Sequence, residues 1–317
     1  MLKHKILSFG NLGLLFILLS LSSCLKERVG NFNTDNAVSH IIDFKNTGAN
    51  MAGPSSFYPG FMGDVGSVNP GASGYFYINL QYAGAGNTNQ DIVVNLAVDQ
   101  AVLDRYNEEN NTDYVLPPAD VFSIPAKVTI KGGTNVVTDS VKITRTADYN
   151  FDLAYALPIK ITSVSTNDVI SANFGAAVFP VNIRNLYDGV YSITSGTIQR
   201  YSNPTTPTTG DALNGSLVGN PNVTLTTVGA NTVEIGNMNW ASRGGGIAGI
   251  DHLQATVDPL TNKVTMKALG NATLANIAGA TNSYDPATKT FTLNYDWNQT
   301  STKREVKNLV IKYVGAR

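Results

Sequence analysis

The stretch Phe76-Tyr77-Ile78-Asn79-Leu80-Gln81-Tyr82 decides the fold, because a large apolar side chain recurs in it at every second residue. Successive side chains of a β-strand point to opposite faces, so this period of two predicts a strand with one buried face. The same period recurs at Ile92, Val94, Leu96 and Val98. Short segments of this kind, separated by clusters of Gly, Asn and Thr, fill most of the chain and predict an all-β protein.

Residues 37–184 form the first predicted domain. Its other strand patterns lie at Ile42–Phe44, Val128–Ile130, Val137–Ile143, Leu157–Ile161 and Phe179–Ile183. One helix is predicted, with Asp99 as its N-cap and Asn110-Asn111 at its end. The apolar stripe of this helix consists of Val98, Val102, Leu103 and Tyr106. About seven short strands with one short helix predict an immunoglobulin-like β-sandwich.

Residues 185–317 form a second predicted β-domain, which opens at Asn185-Leu186-Tyr187-Asp188-Gly189. Its predicted strands are Val190–Ile198, Val223–Leu225, Thr232–Ile235, Leu253–Val257, Lys263–Lys267, Thr290–Trp297 and Val306–Val314. Tight turns are predicted at Asp258–Lys263 and Asp285–Lys289, where proline presets the backbone. Such strands either close into an antiparallel barrel or stack as a sandwich. The opening Tyr187–Tyr191 is similar to the first strand of lipocalin-like barrels.

The N-terminus has the layout of a secretory signal, with Lys3, His4 and Lys5 ahead of an apolar run that ends at Leu21. Leu21-Ser22-Ser23-Cys24 resembles the lipobox of bacterial lipoproteins. The resemblance implies that residues 1–23 are removed as a signal peptide and that Cys24 is lipidated. Residues 24–36 are then a flexible tether to the first domain. The alternative is an uncleaved anchor, but the run is short for a spanning helix and contains two glycines.

Composition excludes several classes of function. The net charge is −1 and the pI about 6.3, so no basic field is available for nucleic acid. Cys24 is the only cysteine, which excludes cysteine-ligated zinc and cysteine nucleophiles once it is acylated. A glycosidase needs two opposed carboxylates, and the candidate Glu305 reads as a solvated strand end beside Lys303 and Arg304. No catalytic constellation, metal site or cofactor is predicted.

Four segments carry a family resemblance: Tyr106–Tyr114, Leu116-Pro117, Val128–Gly133 and Tyr155–Thr162. In this order they resemble the N-terminal domain of Bacteroidota lipoproteins encoded with polysaccharide-utilisation systems, over roughly Ala37–Ile183. The resemblance implies a lipoprotein beside an outer-membrane glycan importer; we expect it to face outside, but the mixed charges of Lys26-Glu27-Arg28 leave the periplasmic face as the alternative. It also implies a glycan or another surface partner as the ligand, whereas the motifs themselves carry no chemistry.

The candidate binding segment is Gly236–Gly246, in which Trp240 stands beside Asn237 and Asn239 and is followed by Arg243. An indole can lie against the apolar face of a pyranose while amides and a guanidinium bind its hydroxyls. The alternative is a tryptophan that fills the bottom of the barrel. Trp297 is a further candidate at the rim, although its phase with Phe291, Leu293 and Tyr295 favours the core.

The sequence therefore predicts a non-catalytic lipoprotein that binds polysaccharide or oligosaccharide through Trp240, Arg243, Asn239, Asn237 and Trp297. The alternative is a structural or assembly lipoprotein, which would use the aromatic segment Phe57–Met62 or a sheet edge. A buried plug under the sandwich is the favoured interpretation of that segment, ahead of an exposed contact patch. Asp139-Ser140-Val141 matches the short pattern that Bacteroidota use for O-glycosylation, and this remains a hypothesis.

Overall fold

The structure is a computed structural model that describes residues 40–45, 48–84 and 86–317. The predicted signal peptide, Cys24 and the tether lie outside the described residues. Strands account for 47% of the chain and helix for 4%, which confirms the all-β prediction. Within the described ranges, no helix has the length and apolar character needed to cross a membrane.

The N-terminal half is a sandwich of two five-stranded sheets. Its strands are β1 (Ile41–Phe44), β2 (Gly63–Ser67), β3 (Ser73–Ala83), β4 (Ile92–Val98), β5 (Phe122–Ser123), β6 (Lys127–Ile130), β7 (Val136–Thr144), β8 (Ala156–Val164), β9 (Val169–Ile170) and β10 (Ala176–Arg184). One sheet has the order β5-β7-β3-β1-β9 and the other the order β2-β10-β8-β4-β6. The immunoglobulin-like sandwich predicted from the alternating pattern is therefore confirmed.

The core of the sandwich lies between the two sheets. Ile78 and Leu80 of β3 are almost wholly buried, whereas Tyr77 between Phe76 and Ile78 is 64% exposed, as the period of two requires. Phe179 of β10 reaches across to the opposite sheet, where its ring stacks 5.5 Å from that of Phe76. Burial of such aromatic side chains supplies much of the stability of a sandwich core.

The predicted helix is present as α1 (Gln100–Asn110). The carboxylate of Asp99 accepts a hydrogen bond from the amide of Ala101 at 3.0 Å, and Asn111 ends the helix with a φ of 52°. Both caps act as the sequence predicts, because Asp favours the N-cap and Asn tolerates left-handed backbone. Lys160 of β8 binds the same carboxylate, with its Nζ 2.7 Å from Oδ2.

Helix α1 also holds the aromatic segment Phe57–Met62. Glu109 accepts a hydrogen bond from the amide of Phe57 at 2.7 Å, and the guanidinium of Arg105 lies 3.9 Å from the Phe57 ring. Phe61 is buried in the sandwich core, and only Met62 is half exposed. The segment is therefore mainly a plug under the sandwich, which was the alternative to an exposed aromatic contact patch.

The C-terminal half is one sheet curled into a nearly closed barrel. Its strands are β11 (Gly189–Arg200), β12 (Gly215–Ser216), β13 (Val223–Thr227), β14 (Thr232–Gly236), β15 (Leu253–Val257), β16 (Val264–Ala268), β17 (Ala275–Asn276), β18 (Ser283–Asp285), β19 (Thr290–Trp297) and β20 (Arg304–Gly315). The order is β16-β15-β14-β13-β11-β20-β19-β17, an antiparallel meander in which the last strand returns to the first. Of the two architectures left open by the sequence, the structure has the barrel.

Side-chain amides help to join the two ends of this sheet. Asn276 of β17 accepts a hydrogen bond from the amide of Met266 at 2.8 Å and donates one to the carbonyl of Val264 at 2.8 Å, both in β16. The amide of Val264 also donates to the carbonyl of Asn282 at 3.1 Å. Edge groups of β16 are thus paired rather than exposed, which removes an edge that would otherwise promote aggregation.

The sandwich and the barrel are joined by residues 185–188, between β10 and β11. Asn185 is fully buried there; its Nδ2 donates to the carbonyls of Gly229 and Thr232, each at 2.9 Å, and its Oδ1 accepts from Tyr187 at 3.0 Å. Arg145 of the sandwich donates to the carbonyl of Ala230 at 3.0 Å. Hydrogen bonds to backbone carbonyls therefore hold this junction.

We expect Asn185→Ala to lower the free energy of unfolding by about 2 kcal/mol, because it removes three hydrogen bonds of a fully buried side chain, two to the carbonyls of Gly229 and Thr232 and one from the amide of Tyr187. Urea unfolding measures the change. Asn89→Ala is the matched control, since Asn89 is exposed on the sandwich, and it should change stability by less than about 0.5 kcal/mol. Equal, small effects of both substitutions would contradict this account of the junction.

Asp99→Asn removes the ion pair with Lys160 but keeps a residue that can cap the helix, so it tests the ion pair separately from the cap. The hydrogen bond from Lys160 lowers the pKa of Asp99 below its usual value. A carboxylate with a lower pKa in the folded state stabilises the fold above its unfolded pKa and loses that contribution as the pH falls through the folded pKa. We expect a loss of less than about 1 kcal/mol at pH 7, shrinking below about pH 4. Urea unfolding at pH 7 and pH 3 checks this, and a loss of equal size at both would exclude the ion pair as its cause.

Candidate functional site

The candidate segment lies in the connection between β14 and β15, residues 237–252, which we call the tryptophan loop. Part of it folds back on itself: the amide of Ile247 donates to the carbonyl of Met238 at 2.9 Å, and that of Trp240 donates to Gly245 at 3.1 Å. Asn237 and Arg243 bend the chain with φ values of 64° and 62°. Asparagine tolerates such left-handed backbone well, whereas arginine at this φ is uncommon.

An open hollow of about 320 Å³ lies against the loop and is lined by Ile235, Asn237, Met238, Asn239, Gly246, Ile247 and Ile250. The four apolar side chains among these are buried and form its floor. Asn237 is exposed and Asn239 partly exposed. Neither side-chain amide makes a hydrogen bond to any residue that the structure describes, so both can bind a ligand placed on the floor.

Trp240 does not present its ring to this hollow. The side chain is 7% exposed and packs into the barrel core. The side-chain Nδ2 of Asn220 donates to the backbone carbonyls of Asn239 and Trp240, at 3.1 and 3.3 Å. The predicted stacking of a sugar on this indole is therefore corrected: Trp240 anchors the loop from below, because its large apolar area is more stable in the core than in water.

Trp297 is wholly buried at the end of β19, in the same core. Its Nε1 lies beneath the tryptophan loop, 3.0 Å from the position that a Cβ at Gly249 would occupy. Its phase with Phe291, Leu293 and Tyr295 favoured the core, and its burial agrees with that interpretation and argues against the alternative of a ligand contact at the barrel rim. Its position next to Gly249 makes it a support for Ile250, which lines the hollow.

Arg243 is exposed at the outer end of the loop, where its Nη2 donates to the carbonyl of Val218 at 3.2 Å. It does not line the hollow. The structure thus brings Asn237 and Asn239 to one site and separates Arg243, Trp240 and Trp297 from it. Sequence reasoning missed the apolar floor, although Met238 and Ile247 in a loop rich in glycine and asparagine were a usable signal.

Glu305 is 4% exposed, so the solvated strand end expected from the sequence is wrong. Its carboxylate is bound by Lys303 and Lys307, each at 2.7 Å, and by the hydroxyl of Tyr201 at 2.5 Å. Burial by itself would raise the pKa of Glu305, but these hydrogen bonds together lower it. Burial and the bond to Glu305 raise the pKa of Tyr201 to about 12. A buried carboxylate that is bound by two lysines and a tyrosine has a structural role.

Catalytic and metal chemistry find little support among the described residues. The lining of the hollow contains no carboxylate or histidine. His252 forms an exposed pair with Glu234, with its Nδ1 3.1 Å from Oε2. No group of three or more His, Cys, Asp or Glu side chains in the described ranges is arranged to hold a metal ion.

Two family models match the chain: one described as an N-terminal domain at residues 63–168 and one described as a C-terminal domain at residues 175–312. No curated protein sequence matches. A Bacteroides ovatus protein of unknown function is 14% identical, with a TM-score of 0.53 over 86% of this chain and 94% of its own. This similarity shows a shared fold.

Two other solved structures match this chain with lower TM-scores. A second Bacteroides ovatus protein of unknown function is 18% identical, with a TM-score of 0.48 over 86% of this chain and 94% of its own. An auxiliary nutrient binding protein from Bacteroides thetaiotaomicron is 16% identical, with a TM-score of 0.43 over 76% of this chain and 83% of its own.

We expect Gly249→Ala to disturb the hollow through Trp297. Gly249 has a φ of +82°, and an added Cβ would also crowd the buried indole. Gly279 is the matched control, because its φ is +76° but nothing lies within 4 Å of an added Cβ. Gly279→Ala should lower the free energy of unfolding by about 1 kcal/mol, and Gly249→Ala by at least about 1 kcal/mol more. Urea unfolding gives both free energies. Equal losses would mean that the Trp297 ring moves away from the added Cβ without loss of stability.

Proposed function

The chain belongs to a Bacteroidota protein family of two domains, and from this premise we propose that it is a non-catalytic, glycan-binding lipoprotein of the outer membrane. Cys24 would carry the lipid after cleavage of residues 1–23, and residues 24–36 would tether the domains outside the cell. The sandwich would act as a spacer and the barrel as the binding module. The glycan importer implied by the resemblance would be its neighbour in the membrane.

The observation that carries the proposal is the hollow beside the tryptophan loop. Its buried apolar floor and the free amides of Asn237 and Asn239 combine the two kinds of contact that a sugar ring needs. A pyranose offers an apolar face of C–H groups and a rim of hydroxyls, which amides bind as both donors and acceptors. At about 320 Å³, the hollow lies at the lower end of the usual range for ligand sites, so it suits one sugar unit rather than a long chain.

Weak binding per site is consistent with capture for import. Two neutral hydrogen bonds and a small apolar contact support an affinity between micromolar and millimolar, or about −8 to −4 kcal/mol. Many copies anchored in one membrane would hold a polysaccharide through several sites at once, which raises avidity without new contacts. The glycan can still be released to an importer, because weak binding at each single site implies fast dissociation.

One observation favours the second candidate function, a structural or assembly lipoprotein. Tyr75 and Tyr77 of β3 are 50% and 64% exposed on the outer face of the sandwich. Tyrosine is enriched at protein interfaces because its ring is apolar and its hydroxyl can bind a partner. This face would carry contacts within a surface complex if the barrel binds no glycan.

The test is affinity electrophoresis of the chain from Lys26 to Arg317 in gels that contain neutral or acidic plant and host polysaccharides. We expect at least one polysaccharide to retard the protein. The double substitution Asn237→Ala and Asn239→Ala should weaken that binding about tenfold, because each lost hydrogen bond is worth about 0.5–1.5 kcal/mol.

The double variant should lose no more than about 1–2 kcal/mol of unfolding free energy, because both amides lie outside the core and the main cost is alanine at the left-handed backbone of residue 237. Asn89→Ala on the sandwich is the control and should leave retardation unchanged. Retardation that survives the double substitution would keep the glycan and exclude the hollow. Absence of retardation in every gel would overturn glycan binding and favour the assembly function.

A further inference from the structure

Two arginines face each other across the closing strands of the barrel. Arg200 of β11 is the direct cross-strand partner of Arg304 of β20, and Arg304 is in turn opposite Trp297 of β19. Residues directly opposite in an antiparallel sheet lie on the same face, so both guanidinium groups are on the face that buries Trp297. We call Arg200 and Arg304 the arginine pair. Like charges in this arrangement destabilise a sheet.

The arginine pair is only half neutralised. Asp211 binds Arg200, with its Oδ2 2.5 Å from Nη1. Arg304 donates to the carbonyl and the hydroxyl of Thr302, at 2.7 and 3.1 Å. No carboxylate of the described residues lies within 4 Å of Arg304, and the buried Nε of Arg200 has no hydrogen-bond partner among them. Two positive charges therefore share one negative charge.

Partial burial makes this excess charge more costly. The side chain of Arg200 is 30% exposed and Arg304 is partly exposed. Burial, and then the neighbouring Arg200, lower the pKa of Arg304, yet a guanidinium stays protonated at neutral pH. One position further along β20, Glu305 binds Lys303 and Lys307, and Lys303 also lies 3.8 Å from Asp296, so two lysines face two carboxylates. The same strand thus balances its charges at one position and leaves them unbalanced at the next.

The arginine pair is close to the tryptophan loop. The guanidinium of Arg200 lies 5.6 Å from the centre of the Trp240 ring, which is a cation–π distance. The residue before Trp240 is Asn239, which lines the hollow. Trp240 therefore contacts Arg200 through its ring and directly follows a residue that lines the hollow, so one residue connects the arginine pair with the hollow.

We propose that the arginine pair binds an anionic group, a carboxylate or a sulfate ester, on the saccharide held in the hollow. This inference rests on the proposed function and specifies its ligand as an acidic glycan. Arginine suits such a group because its planar fork donates two parallel hydrogen bonds to carboxylate or sulfate oxygens. The anion would supply the second negative charge that the pair lacks.

The test compares matched acidic and neutral polysaccharides in affinity gels with the chain from Lys26 to Arg317. One pair is polygalacturonate and its methyl ester; the other is a sulfated galactan and its desulfated form. We expect the acidic member of at least one pair to bind about 10-fold more tightly, and the pair that shows this preference identifies carboxylate or sulfate. The preference should fall as salt is raised.

Arg304→Gln should abolish the preference for the acidic member. The control is Lys312→Gln, which removes the same charge from an exposed position of the same strand and should leave the preference intact. Arg304→Gln should keep or raise the midpoint of urea unfolding, because it relieves repulsion from Arg200. A lower midpoint would assign Arg304 a structural role and overturn the inference.

The remaining outcomes are separable. Equal binding of acidic and neutral members, or a preference that survives Arg304→Gln, overturns the anionic subsite and leaves glycan binding intact. Equal loss of the preference in Lys312→Gln means that overall charge, and not the arginine pair, attracts the acidic chains. No binding of any of the four polysaccharides overturns this inference, and the proposed function is overturned only if every gel of the first test also shows no retardation.

Discussion

The pairing of β11 with β20 is the interaction on which the C-terminal domain depends, because it joins the first strand of the meander to the last. The ladder runs from Val190 opposite Gly315 to Arg200 opposite Arg304 and is interrupted by register shifts. At one of these, Gly196 has a φ of +136°, and a Cβ there would lie 2.9 Å from the Cα of Leu309. Only glycine allows this close approach of two backbones, and such bulges let a sheet curl into a barrel.

Closure by this ladder determines where the functional candidates lie. It brings Tyr191, Phe291 and Ile311 into one core, and it brings Arg200 to the face that also carries Arg304 and Trp297. Trp240 then packs into the core and fixes the tryptophan loop by its buried ring. The polar groups of that loop are left at the surface over an apolar floor. A large buried anchor beneath a polar loop is how a rigid scaffold supports a binding site.

The strands were predictable from sequence because their period of two is local, as in β3 and β19. The two-residue strands β12 and β17 were not, since so few residues show no period. The burial of Trp240 could not be predicted from its neighbours, because a loop rich in glycine and asparagine can direct the indole either into the core or toward solvent. The apposition of Arg200 and Arg304 depends on a register between the two ends of the domain, which no local pattern encodes.

Two neighbouring charged residues of β20, Arg304 and Glu305, differ in whether their charge is paired within the protein, and this difference separates a structural role from a binding role. At Glu305 the sequence supplies Lys303, Lys307 and Tyr201, and every charge in the cluster has a partner. The carboxylate that attracts Arg304 electrostatically belongs to Asp211 and already binds Arg200. A fold selected for stability alone would favour a neutral or acidic residue at position 304, because that change removes repulsion and leaves no buried group unpaired. Local conflicts of this kind are expected where a protein binds something else, and an anionic ligand resolves this one.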